Sequence, residues 1–229
     1  MKEHRKYGSS KEKAYKLIKE TIIARTFAPG QFLSENELSR AFGVSRTPIR
    51  EALQTLEVEG FVRLIPRKGA QVAGISIKDV DEVYELRLVL ERLAGQKLIQ
   101  RQDEISIQIM NDVLKTQVRI MEENDPVKFI SADREFHLAL IRAARNERLY
   151  RFYDGLRDHM LRLGIEAVQS PGRYVEVIEE HRAVMAGLEE GCYEAFAQAI
   201  GEHIRVTKFR VGKNLPNLWM ESEQCERGG

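Results

Sequence analysis

The chain has 229 residues, 43% hydrophobic and 31% charged, which supplies a substantial core for one or two globular domains and excludes a disordered chain. No apolar run approaches the roughly 18 residues of a membrane span, and the opening MKEHRKYGSSKEK has no apolar signal-peptide core, so a cytoplasmic protein without a membrane partner is expected. Net charge is +1, yet residues 1–74 hold 14 Lys/Arg against 8 Asp/Glu and the remainder 22 against 27, a basic first third that suits contact with a polyanion.

In chain order, EKAYKLIKETIIAR (12–25) carries Ala14, Leu17, Ile18 and Ile22 at helical spacing, and Pro29 and Gly30 then break it. LSENELSRAF offers Ser34 as N-cap with Glu37 three residues on, a capping-box pattern, and stops at Gly43. RTPIREALQTLEVEG forms the next helix, with Pro48 in its first turn, Ile49, Ala52, Leu53 and Leu56 on its inner face and Gly60 at its end. FVRLIPRKGAQVAG reads as a two-stranded ribbon turning at PRKG. Two helices, a tight turn, a third helix and a ribbon make a winged helix-turn-helix over residues 1–74. After a linker at 75–78 the pattern is wholly helical, with helices near 78–100, 104–124, 126–145, 147–168, 172–190 and 192–213. Six helices on short links predict an antiparallel bundle over 79–215. A mobile tail at 216–229 is expected. The overall class is mainly α. Cys192 and Cys225 form no disulfide framework and read as reduced bystanders.

The third helix presents Arg46, Thr47 and Arg50 in its first turns, the part of a recognition helix that enters the major groove. Arginine can fork onto guanine O6 and N7, and Thr47 and Ser45 can reach phosphate or a base edge. In isolation, Arg46 and Arg50 would more simply pair with Glu51 or stay solvated. Their place in a helix-turn-helix with a basic turn at Arg67, Lys68 and Gly69 favours DNA. APGQFLSENELS and FGVSRTPIREALQTLEVEGFVRLIPRKGAQV together closely resemble the DNA-binding domain of the GntR family of bacterial transcription regulators, over roughly residues 10–74. The resemblance implies a wing tip lying along the minor groove, with Gly69 permitting close backbone approach. Where many relatives have Arg in SERELA, this chain has Asn36 in SENELS, which puts a contact from that position in doubt.

ISADREFHLALIRAARN sets Asp133 and His137 four residues apart, in step with Ile130, Phe136, Leu140, Ile141 and Ala144, so two ionisable groups face a core. Unpaired burial of such groups costs several kcal/mol. His181 falls on the inner row of RYVEVIEEHRAVMAGLEEG with Val177, Ile178, Val184, Met185 and Leu188, and His203 falls in line with Phe196, Ala199 and Ile200. One inward histidine is more often a hydrogen-bonded core residue. Three from three helices, with a carboxylate, point to a divalent metal on Asp133, His137, His181 and His203. Imidazole with one carboxylate suits zinc, nickel, copper or iron better than calcium or magnesium, and zinc is the default. The ligand spacings of 4, 44 and 22, and the stretch DREFHLALIRAARN, resemble the FCD effector domain of the FadR-like GntR subgroup. That resemblance extends to about residue 213 and implies the same four ligands.

Arg87 lies on the stripe of Val80, Val83, Tyr84, Leu90 and Ala94, where a guanidinium requires a partner. Glu91, one turn on, is one reading. The other, which the resemblance implies, is a bidentate clamp on the carboxylate of a small organic acid effector. His159 ranks behind it as a pocket residue. The expected protein is therefore a homodimeric regulator, more often a repressor, on a double-stranded operator of two-fold symmetry. One alternative is a metalloenzyme using the Asp/His site for hydrolysis, but there is no HExxH motif and no ExxH pair, since residues 134, 178 and 200 are Arg134, Ile178 and Ile200. Another is an acyl-thioester-responsive regulator with a purely structural metal.

Overall fold

The structure, a computed structural model, describes residues 9–215. The tail expected at 216–229, with Cys225, lies outside the described residues. The chain divides into two compact units on either side of the Gly74–Ile75 junction.

In the first unit, α1 (Ser10–Ile23) starts at Ser9, whose hydroxyl accepts from the Glu12 amide, and buries Ala14, Ile18 and Ile22. β1 (Phe32–Leu33) leads into α2 (Glu35–Phe42), which ends at Gly43 in the left-handed region. Ser34 is the N-cap of α2 but makes no side-chain cap bond, so the expected capping box does not form. α3 (Arg46–Val58) buries Ile49, Ala52, Leu53 and Leu56 and packs on α1. β2 (Val62–Ile65) and β3 (Gly69–Val72) are the wing ribbon. It is not two-stranded, as expected, but gains β1 as a third strand: the order is β1-β3-β2, all antiparallel, with Leu33 opposite Ala70 and Leu64 opposite Ala70 on the other side. Two residues of QFL are too short a run to show the alternation that marks a strand.

The second unit is all helical. α4 (Ile77–Arg101) begins in a full capping box between Ser76 and Asp79, so the segment expected as a linker at 75–78 already contains the N-cap and first turn. α5 (Glu104–Met121), α6 (Pro126–Ala143), α7 (Glu147–Gly155), α8 (Arg157–Ala167), α9 (Arg173–Glu189) and α10 (Tyr193–Asn214) follow. Among the described residues this gives seven helices where six were expected, because 147–168 breaks at Leu156. Phe152, within α7, lies outside the core, 74% exposed. α10 packs on α9, α4 and α8, while α6 packs on α5, α4 and α8. Two close crossings need glycine: a Cβ on Gly95 would meet the Phe196 ring, and one on Gly187 the Phe196 backbone.

Candidate functional site

The first candidate surface lies in the winged unit. Ser45 caps α3 through its backbone, and Ser45, Arg46, Thr47 and Arg50 are all exposed on its first turns. The two arginines are not tied to Glu51, the partner weighed from sequence. Both reach Glu35 at the start of α2: Arg50 Nε and Nη2 donate to its two oxygens at 2.8 Å each, and Arg46 Nη2 donates at 3.3 Å. The bonds from Arg50 hold the Glu35 carboxyl below its ordinary range. Arg67 and Lys68 are exposed at the wing turn, with Arg67 at φ 64°. A shallow groove is lined by Glu35, Arg46, Arg50, Gln54, Arg67 and Lys68. Gly69, at φ 106°, has a reason internal to the unit: a Cβ there would run into the Leu33 carbonyl of β1.

The second candidate site is the answer to the inward-facing charges of α6. Asp133 and His137 on α6, His181 on α9 and His203 on α10 are brought together, with one ligand-type atom from each lying within 4.8 Å of the others. The three histidines are fully buried. Each turns Nδ1 outward to an oxygen acceptor: His137 to Glu91 Oε2 at 2.8 Å, His181 to Gln117 Oε1 at 2.8 Å and His203 to Glu180 Oε2 at 2.7 Å. Those acceptors hold the proton on Nδ1 and leave each Nε2 lone pair facing inward, the arrangement that metal-ligating histidines adopt. His181 Nε2 is buried with no hydrogen-bond partner and lies 3.4 Å from Asp133 Oδ1. Burial, together with the positive groups around them, pushes the His181 and His203 rings well below the usual imidazole range, so both are neutral. Phe136 stacks on His181 with ring centroids 4.0 Å apart, fixing its plane.

Arg87 has the partner that the simpler reading gave it. Its Nε donates to Glu91 Oε1 at 2.7 Å, and its Nη2 contacts His137 Nε2 at 2.6 Å and His203 Nε2 at 3.4 Å. Burial alone would raise the Glu91 carboxyl, but His137 and Arg87 hold it far below the ordinary range, and the Tyr153 hydroxyl donates to the same Oε1 at 2.7 Å. Glu180 is held in turn by Arg173, which also bonds Thr207 at 3.1 Å. A cavity of about 20 Å³, room for about one water, adjoins Arg87, Asp133, His137 and His203 and is walled by Met160 and Leu161 of α8. His159 is half-buried and does not line it.

Gln117 and Glu180 were not anticipated. Gln117 had a legible signal, a polar residue on the buried row of Met110 and Leu114. Glu180 had none, because it adjoins His181 in sequence yet serves His203 on another helix.

A basic winged helix-turn-helix followed by an all-helical unit defines a DNA-binding protein with a second, non-reading domain. Residues 10–72 match the family model described as bacterial regulatory proteins, gntR family, and residues 82–206 match the FCD domain. The chain belongs to the GntR family of DNA-binding transcription regulators, and its helical unit is an FCD domain. It is 30% identical over 190 residues to the HTH-type transcriptional regulator YdhC of Bacillus subtilis, covering 82% of this chain and 85% of that protein. It is 24% identical over 212 residues to the gluconate operon transcriptional repressor of the same species, covering 90% of this chain and 85% of the relative. Escherichia coli McbR/YncC superposes with a TM-score of 0.71 over 91% of this chain and 99% of its own, at 20% identity, a likeness of fold. The family is one of regulators and not of enzymes, so the hydrolytic alternative falls. Among the described residues no helix is long and apolar enough to cross a membrane.

Proposed function

We propose that this regulator is a homodimeric repressor that reads a two-fold-symmetric operator and senses a small carboxylate beside a divalent metal, zinc by default and nickel as the nearest alternative. The observation that carries the metal is the buried, partnerless His181 Nε2, aimed at Asp133 Oδ1 while its Nδ1 is locked elsewhere. A polar atom left so costs about 1–3 kcal/mol unless something binds it. Asp133, His137, His181 and His203 supply one oxygen and three imidazole nitrogens, a donor set that fits zinc. Bound there, the metal supplies a Lewis-acid position for an anionic oxygen. Arg87 Nη2 faces the same Nε2 atoms, so in the loaded site it turns away from His137 and offers its donor to a carboxylate, while Nε stays on Glu91. The adjoining cavity is too tight for an organic acid, so effector binding has to shift the α8 wall at Met160 and Leu161. Such a ligand regulates DNA only if it favours one of two arrangements of the chain.

On the DNA side, Ser45, Arg46, Thr47 and Arg50 read the major groove, and Arg67, Lys68 and Gly69 follow the backbone of the adjoining groove. A single reader makes few base contacts, and a second copy supplies the rest. Support for a dimer comes from α4, where Leu86, Val89 and Leu93 form one exposed stripe at 52, 64 and 38% exposure. Two relatives are named as repressors, of the gluconate operon in Bacillus subtilis and RspR of Escherichia coli, which favours repression. The test is metal analysis of the purified full chain, followed by operator binding with and without a panel of small organic acids. About one zinc or nickel per chain, and loss of operator binding with one acid, is expected. No metal, or no acid that alters DNA binding, sinks the reading.

A further inference from the structure

Gln117 sits on α5, which supplies none of the four candidate ligands. It is fully buried, and its side chain hydrogen-bonds two of the candidate ligands, on other helices. Its Oε1 accepts from His181 Nδ1–H at 2.8 Å, and its Nε2 donates to Asp133 Oδ1 at 3.4 Å. Asp133 Oδ1 is in turn 3.4 Å from His181 Nε2, so amide, carboxylate and imidazole close a ring of contacts. The logic within that ring runs one way. An ionised carboxylate only accepts, so Asp133 draws the amide NH2 toward itself and forces the amide oxygen toward His181. An amide oxygen also only accepts, so the His181 proton must sit on Nδ1 and the Nε2 lone pair must face Asp133. Turned over, the amide would put oxygen against oxygen at Asp133 and two donors together at His181.

We propose that Gln117 is the positioning residue of the metal centre: one side chain, from a helix without ligands, sets the tautomer of His181 and the carboxylate plane of Asp133 together. His137 and His203 are oriented by the carboxylates Glu91 and Glu180, each neutralised by an arginine. At His181 the acceptor is a neutral amide because it must also donate to Asp133, which a carboxylate cannot do. This inference rests on the metal reading above.

The test uses the full chain as wild type, Gln117→Leu, Gln117→Asn and Gln117→Glu. Zinc affinity is measured by competition with a chromophoric chelator, and the His181 tautomer by long-range ¹H–¹⁵N NMR on zinc-stripped protein. Leucine removes both contacts, and asparagine, a methylene shorter, withdraws from both, so each should weaken zinc binding about 10- to 100-fold, the range of lost outer-shell partners. His181 should then populate both tautomers. Glutamate keeps the acceptor for His181 but sets oxygen against oxygen at Asp133, so it should hold the Nδ1–H tautomer while zinc affinity falls. The second loss variant keeps the test decisive if leucine prevents folding. Tight zinc binding by wild type with unchanged affinity and tautomer in the leucine or asparagine variant overturns the role of Gln117. Wild-type zinc affinity in the glutamate variant, which has no donor for Asp133, overturns it too. A wild-type chain that binds no zinc defeats the metal reading itself, and this inference with it.

Discussion

At the scale of single residues, burial converts chemistry into obligation. His181 has no exposure, a stacked Phe136 and one ring nitrogen without a partner, so removing the ring deletes a ligand and leaves a cavity together. His181→Ala is expected to abolish tight zinc binding and effector response while unliganded operator binding stays near wild type. Full effector response in a demonstrably metal-free variant would refute the site. The arginines of α3 face the opposite circumstance, exposed to water and paired with Glu35. An exposed pair of this kind is weak, about 0–1 kcal/mol, so DNA can take both guanidinium groups from it at small cost. Arg46→Ala or Arg50→Ala should each cost about 1–3 kcal/mol in specific operator binding without lowering the melting temperature. Unchanged affinity in both, measured by titration at fixed salt, would remove them from the recognition surface.

At the scale of elements, close approach matters more than propensity. The wing stays on β1 because Gly69 passes against the Leu33 carbonyl with a backbone that side chains rarely adopt. α9 and α10, which carry His181 and His203, approach each other closely where Gly187 meets the Phe196 backbone. Gly187→Ala has to push these helices apart and should destabilise the bundle by about 1–3 kcal/mol. Because the same crossing sets the separation of two ligands, zinc affinity should fall with it. Denaturant melts paired with zinc titrations check both, and loss of stability with unaltered zinc affinity would show that the crossing does not govern the site. The break between α7 and α8 belongs here as well. Just before it, within α7, Phe152 faces solvent and Tyr153 turns inward to Glu91.

At the scale of the whole molecule, two consequences follow from apolar exposure and from linkage. The α4 stripe is an unusual surface for a monomer, and Val89→Lys would set a charge in its centre. Sedimentation should then show monomers where wild type is dimeric, and operator affinity should drop because the second half-site is lost. A dimer of unchanged strength would place the interface elsewhere. Ligands in α6, α9 and α10 tie three helices, so metal stabilises by mass action, by about 2.7 kcal/mol at one hundred times its dissociation constant. Stripping it with a chelator should lower the melting temperature of the wild type and leave that of His181→Ala unaffected. Equal shifts in both would mean that the chelator acts at another place.

Periodicity, with the glycine, proline and capping signals that punctuate it, revealed the winged helix-turn-helix, the helical second unit and the inward direction of Asp133, His137, His181 and His203. Each of those follows from a local repeat that puts residues on one face of one element. The two-residue strand β1, the break at Leu156 and the Glu35 tether of Arg46 and Arg50 were not legible, because short segments carry no period and surface ion pairs depend on which helices adjoin. Arg87 shows the division most plainly. Its spacing declared that it was buried and limited its partner to Glu91 or an outside carboxylate. Only the packing of α4 against α6 and α10 decided that Glu91 holds its Nε while its Nη2 meets His137 and His203. The outer acceptors Gln117 and Glu180 come from elements distant in sequence. Their role exists only after tertiary packing has removed water and left each imidazole proton a single acceptor to choose.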